Sequence, residues 1–313
     1  MRKSLKIALI TAGVLCAAGL IAAAAGGFLF HWNMEELDMV PGYEEKIFLA
    51  QSDTREVILK VASRSVRIEN NSSDAVQIEY SQDDLIRYIL TEEDGTVTMT
   101  QENKRHWFDS FRYGMFSGIK TSSPIVVKLP AGFAGALSVQ SENGRIDAEA
   151  SAFLERCRLL TSNARVAVKN LTCGELEARS SNAAIQLKNV SAEGSITANT
   201  SNASVLMTAV SCKAGAVKTS NGGLRLENVT ARERVEAQTS NGSVKFTVTA
   251  PQIKLQSSNG SITGRINGRE TDYSISCKTS NSSQNLYDTE RPESENRLDI
   301  ATSNGKVQVR FTN

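Results

Sequence analysis

From residue 141 onward a short Ser/Thr-Ser-Asn element returns along this 313-residue chain at a nearly fixed interval. Its asparagines are Asn143, Asn163, Asn182, Asn202, Asn221, Asn241, Asn259, Asn281 and Asn304, separated by 18 to 23 residues. The residue two before each is Ser or Thr, and the one immediately before is Ser except at Glu142. Self-similarity at such a period is the mark of a repeat architecture whose units stack.

Apolar residues stand four and six positions before each asparagine, as in Val139 and Leu137 or Val217 and Gly215, and three and five after, as in Ile146 and Ala148 or Leu224 and Leu226. Mostly polar residues separate them. Period-two alternation on both sides of one point describes two short strands meeting at an Asn corner, followed by a looser return. The corners could be type I′ hairpin turns or corners of a parallel solenoid. Type I′ turns want Gly after Asn, but Ala follows in three copies and Ser in one. Alternation also puts the asparagine on the core-facing side. Coils stacked at ~4.8 Å let each amide bond the next, as a buried amide requires. The Ser/Thr column two residues earlier is expected to do the same with hydroxyls. The expected fold is all-β, a right-handed parallel β-helix with ~20-residue coils, regular over 136–313. A partial second column of Asn170, Asn189 and Asn228, interrupted by Ala209, marks another corner. Sequons such as "NLT" and "NVT" are by-products of the repeat.

Composition suits this fold. Apolar residues make up 40% and aromatics 6%, which fits an aliphatic core. The formal net charge is +1, with Arg2, Lys3 and Lys6 at the extreme N-terminus, so the chain carries no overall electrostatic footprint for nucleic acid. Residues 7–30 hold no charge. Their length, ~36 Å as a helix, exceeds a bilayer core of ~30 Å. Basic residues before and acidic residues after the stretch predict a single-pass transmembrane helix with residues 1–6 as a cytoplasmic tail and the remainder outside. A cleaved signal peptide with its site near Ala22–Ala24 is the alternative, although signal h-regions are shorter. Leu15 and Gly13 do not fit a lipoprotein signal at Cys16.

Residues 31–50 read as a tether and 51–135 as irregular first coils and a cap. Within the cap, 104–120 is rich in aromatics: Trp107, Phe108, Phe111, Tyr113 and Phe116. These residues are either an exposed contact surface for a partner or a flap packed on the solenoid. The chain ends inside a repeat, so its last strand is expected to be a bare edge open to self-association. Cys157, Cys173, Cys212 and Cys277 fall out of phase for disulfides: Cys173 and Cys212 sit two coils apart, ~9.6 Å, beyond the ~7 Å reach of a bridge. All four are expected to be buried thiols.

Nothing resembles a catalytic constellation. The only histidines, His31 and His106, have no paired nucleophile in view. The column six past each corner, with Glu149, Lys169, Lys188, Glu227, Arg265 and Arg310, is mixed in sign and reads as a solvated face. No metal, cofactor or enzyme activity is expected. A polysaccharide-active β-helix enzyme remains the alternative, and it would need clustered acids or arginines in a groove.

A basic N-terminus, one apolar span, a "VVKLP" strand and serial "TSNG" coils together resemble the bacterial putative-adhesin domain family of unknown function, which includes LiaG-like and YvlB-like envelope proteins. The resemblance covers residues 50–313. It implies a surface-exposed β-helix without catalytic residues, working as an adhesin-like interaction or scaffold module at the cell envelope, with links to envelope stress response. The implied partners are the lipid bilayer through residues 7–30 and an envelope protein or surface glycan.

Overall fold

The computed structural model describes residues 3–29, 44–51, 53–82, 86–103, 123–150 and 153–312. Helix α1, Lys3–Leu29, belongs to one compact unit and the strands to another. Its side chains between 10 and 21 are all exposed. Among the described residues no helix is long and apolar enough to cross a membrane.

Among the described residues, twenty-one strands join one hydrogen-bonded network. The N-terminal group is β1 Glu44–Leu49, β2 Glu56–Val61, β3 Val66–Asn71, β4 Gln77–Gln82, β5 Ile86–Glu93, β6 Thr96–Asn103 and β7 Ile125–Pro130. The repeat supplies β8 Ala136–Ser141, β9 Ile146–Glu149, β10 Phe153–Thr161, β11 Val166–Ser180, β12 Ile185–Ala192, β13 Ser195–Thr200, β14 Val205–Lys218, β15 Leu224–Thr239, β16 Val244–Thr249, β17 Gln252–Ser257 and β18 Ile262–Asn267. The C-terminal group is β19 Tyr273–Thr279, β20 Asn296–Thr302 and β21 Val307–Thr312. Every pairing from β8 to β21 is parallel, so the fold is a β-solenoid.

The core is the stack of apolar columns foreseen from the repeat. Leu137, Cys157, Leu176, Ile196, Gly215, Val235 and Ile253 pair in turn on one sheet. Ile146, Val166, Ile185, Val205, Leu224, Val244 and Ile262 do so on the other. Parallel stacking with zero slip places like on like, and most of these side chains are almost wholly buried. Each large aliphatic side chain so buried contributes roughly 1.5–3 kcal/mol. Phe246 is the bulkiest inward residue of its column, and Gly264 beside it lacks a Cβ that would lie 2.6 Å from the Phe246 ring.

Both ends depart from simple coil order. The C-terminal coil is not a bare edge. Strand β20 lies between β17 and β19, and β21 pairs with β18 on one side. On its other side Val307 bridges Gln284, and the Asn285 amide donates to the Val309 carbonyl and accepts from its N–H. The last residues of the chain thus form the penultimate rung, while 273–286 form the outermost one. That outer rung is covered in turn by an antiparallel bridge from Thr289 to Ile275. The N-terminal end mirrors this. The β2–β3 coil is held between β8–β9 and β6–β7. Antiparallel strands finish that end, β5 on β6 and β4 on β7, with β1 on β4. Residues 44–49, read from the sequence as tether, are therefore strand. Pairing of both sides satisfies backbone groups that an open edge would expose.

This order predicts the effect of shortening the chain. Removing 296–313 should leave β17 and β19 two rungs apart with no strand between them, so protease should cut freely within 268–295. In a solenoid coiled strictly in sequence order, that segment would remain an ordinary, protected last coil, and continued protection would contradict the order described here.

Candidate functional site

The repeated corner is the most regular feature of the surface. At every corner but that of Asn281, where Thr279 is half-buried, the Ser or Thr two before the asparagine is buried, and the asparagine and the residue before it are exposed. Two successive outward residues interrupt the alternation, which turns the chain from one sheet to the next. The nine asparagines therefore face solvent, not the core as the alternation predicted. Their ladder nonetheless forms. Nδ2 of Asn163 donates to Oδ1 of Asn143, and the pattern continues through Asn182, Asn202, Asn221, Asn241 and Asn259 at 2.6–2.8 Å. It ends in spatial rather than chain order: Asn304 donates to Asn259, and Asn281 to Asn304.

The buried hydroxyls bond to backbone instead of to one another. Thr219 Oγ1 accepts the Gly222 N–H at 3.2 Å and donates to the Ala203 carbonyl of the preceding rung at 2.9 Å. Thr239, Ser257 and Thr302 repeat both contacts. A Ser or Thr bonding the N–H three residues on is a local turn device, and here the same oxygen also ties one rung to the next. Where Gly follows the asparagine the rungs approach closely too, while Ala164, Ala183 and Ala203 take that place in other coils. A Cβ on Gly242 would lie 1.8 Å from the Gly222 carbonyl oxygen.

The second corner turns through the left-handed region. Asn170, Asn189, Ala209 and Asn228 all have φ of 52–54°. Asn tolerates this left-handed region better than other residues with a Cβ. Asn189 donates to Asn170 at 3.0 Å and Asn170 to Glu149 at 2.9 Å, and Ala209 breaks this shorter ladder.

Cys157, Cys173, Cys212 and Cys277 are buried free thiols, as expected. Burial pushes Cys173 up to about 12 and Cys212 and Cys277 up to about 11, and drives Cys157 higher still. None of them is a ready nucleophile at neutral pH. Among the described residues there is no cluster of three or more His, Cys, Asp or Glu able to hold a metal. The aromatic residues Trp107, Phe108, Phe111, Tyr113 and Phe116, and both histidines, lie outside the described residues.

Among the open grooves over the described residues, two bear on the corners and the N-terminal coils. One, of about 580 Å³, follows the exposed serines beside the ladder, including Ser220, Ser240, Ser258 and Ser303, with Lys218 and Lys278 along it. The other, of about 620 Å³, lies across β3, β9 and β11. There Arg145 and Arg165 share Asp147, at 2.6 and 3.3 Å. Neither groove was legible in the sequence, because each joins residues some 20 positions apart that only the register brings together.

Two substitutions separate the corner's parts. Thr219→Val leaves a buried N–H and carbonyl unpaired and should cost about 1–3 kcal/mol in urea unfolding. Asn221→Ala, at the exposed ladder, should cost less, roughly 0.5–1.5 kcal/mol, because water replaces the lost partner; the reverse ranking would contradict the roles given to the two side chains. Ala209→Asn should stabilise the fold by about 1 kcal/mol, relieving left-handed strain and joining Asn189 to Asn228. A lower melting temperature in that variant would argue against this account of the second corner.

The model of the family described as Toastrack DUF4097 matches residues 54–310. No curated protein matches. Among solved structures, a putative adhesin of Parabacteroides distasonis is similar at 13% identity with a TM-score of 0.50, over 87% of this chain and 98% of that one. A putative adhesin of Bacteroides fragilis aligns at 11% identity with a TM-score of 0.43, over 86% and 97%. Another, from Parabacteroides merdae, aligns at 14% and 0.42, over 71% and 93%. At such identities the likeness to the P. distasonis protein speaks for the fold alone. The match over residues 54–310 and the solenoid of stacked corners make this chain a member of the Toastrack DUF4097 family.

Proposed function

We propose that the chain is a single-pass protein of the bacterial cell envelope, with residues 7–30 in the membrane, the N-terminus cytoplasmic and a right-handed solenoid outside. In this reading the solenoid is a non-catalytic, adhesin-like interaction and scaffold module associated with envelope stress response. Its partners are an envelope protein or surface glycan, and the aromatic segment 104–120 adds contact surface.

The observation that carries the reading is the character of α1. Ile10, Val14, Leu15, Leu20 and Ile21 are 62–72% exposed and point in different directions around the helix. A helix apolar on all sides must be buried, in protein or in lipid, and these side chains are exposed. Basic residues at its start favour a cytoplasmic N-terminus. The names given to the similar structures, and the family's repeat, support interaction over chemistry, although fold alone does not fix function. Strands joined rung to rung give a stiff support on which side chains can be repeated at ~4.8 Å.

Fractionation of bacterial cells producing the full chain tests this. The protein should remain with membranes through alkaline carbonate extraction, and protease added to intact cells (spheroplasts if an outer membrane is present) should remove the solenoid. Recovery in the cytosolic fraction, or a solenoid protected from external protease, would overturn the proposal.

A further inference from the structure

Toward the C-terminal end, the two outer faces of the solenoid treat charge differently. On the sheet containing β10, β17 and the C-terminal part of β11, neighbouring rungs pair cation with anion: Arg156 opposite Glu175, Arg158 opposite Glu177, Glu236 opposite Lys254. These pairs close to 3.6, 2.9 and 3.8 Å. On the other sheet the N-terminal rungs also mix signs, with Lys169 opposite Glu149 and Arg67 opposite Asp147, but cation is set opposite cation at three places. Lys169 faces Lys188, Arg225 faces Lys245, and Arg265 faces Arg310. Like charges directly opposite one another destabilise a sheet, so this face carries a cost that the first face avoids.

The cationic residues concentrate toward the C-terminal end. The outward side chains of β16, β18, β21 and the first residues of β15, with Lys306 just before β21, include Arg225, Lys245, Arg265, Lys306 and Arg310, all exposed, against a single acid, Glu227. Glu227 is paired with Arg225. Among the described residues Lys245, Arg265, Lys306 and Arg310, like Lys169 and Lys188, make no ion pair. A groove of about 340 Å³ lies between Arg225, Lys245, Thr247, Thr263 and Arg265. It runs across rungs, along the direction of stacking. Phe246 lines it from beneath and is buried, so the groove itself offers no exposed ring to a sugar or base, whereas Tyr287, just past the outermost rung, is exposed.

We propose that this face binds a linear phosphodiester polymer lying along the stack of β15, β16, β18 and β21. Lysines attract phosphate as point charges, and the Arg265 and Arg310 guanidinium forks match its oxygens. Without a stacking platform in the groove, neutral glycan rings or nucleobases gain little there, so selection falls to charge density. A chain with a phosphate in every repeat supplies charge at many successive rungs and releases counterions as it binds. The inference rests on the reading of the solenoid as an interaction module and names the chemistry of one partner. Its failure is separable from that of the envelope reading, because binding is measured on purified protein and location by fractionation.

The test uses the full chain in detergent and fluorescently labelled poly(glycerol phosphate), with anisotropy read between roughly 50 and 200 mM salt. Binding should weaken with salt, with a log–log slope of about −0.7 for each phosphate contacted. The double variant Lys245→Gln/Arg265→Gln should lose on the order of tenfold in affinity and show a shallower slope. Lys254→Gln, on the opposite sheet, should bind within about twofold of the unaltered chain. Three results would each overturn the proposal: no binding at the lowest salt, equal losses in both variants, or hyaluronate or phosphatidylglycerol vesicles binding as tightly and with the same sensitivity to the double variant.

Discussion

The fold depends on one rung being tied to the next at the Asn corner. Three kinds of bond meet there: backbone N–H to carbonyl, the buried hydroxyl to the neighbouring carbonyl, and the exposed amide to its counterpart, as at Asn221, Thr219 and Asn202. The buried hydroxyl works in a low-dielectric setting where an unpaired partner is expensive, and the amide works in water where it is not. The two side chains stand two residues apart in the sequence and have different energetic weights. Together they fix register, because a slip of one residue would break the hydroxyl contact and turn apolar columns outward.

Much of this was legible in the chain itself. The period, the apolar columns and the pairing of asparagines follow from side-chain alternation and stacking, and the structure bears them out. The direction of the asparagines does not follow, because strict alternation was carried through a corner. Ser162 and Asn163 are both exposed, while Thr161 alone turns in. The order of the last coils was also hidden. Spacings of 22 and 23 residues at Asn281 and Asn304 are longer than the rest, but length alone does not reveal that β20 slips between β17 and β19. Left-handed φ at the second corner was foreshadowed by its asparagines, since Asn is enriched in that region.

The surface was harder to read than the core. Core columns are visible because hydrophobicity repeats at every coil. A functional face needs only a few residues on neighbouring rungs, and these arrive from different columns. Arg225 and Lys245 stand four past their corners, and Arg265 and Arg310 six past. Taken one column at a time, the charges look mixed; set in register, cations gather on one sheet toward its C-terminal end, at Arg225, Lys245, Arg265 and Arg310. A solenoid is well suited to such separation, since its backbone network leaves outward side chains free to vary without disturbing the core.

The most direct test of the rung-to-rung account is a scalar coupling across the side-chain hydrogen bonds, measured by NMR from each ladder Nδ2 to the Cγ of the next asparagine. The structure predicts correlations from Asn202 to Asn182, from Asn304 to Asn259 and from Asn281 to Asn304. A correlation from Asn281 directly to Asn259, or none across the middle coils in a spectrum that resolves the backbone couplings, would contradict it.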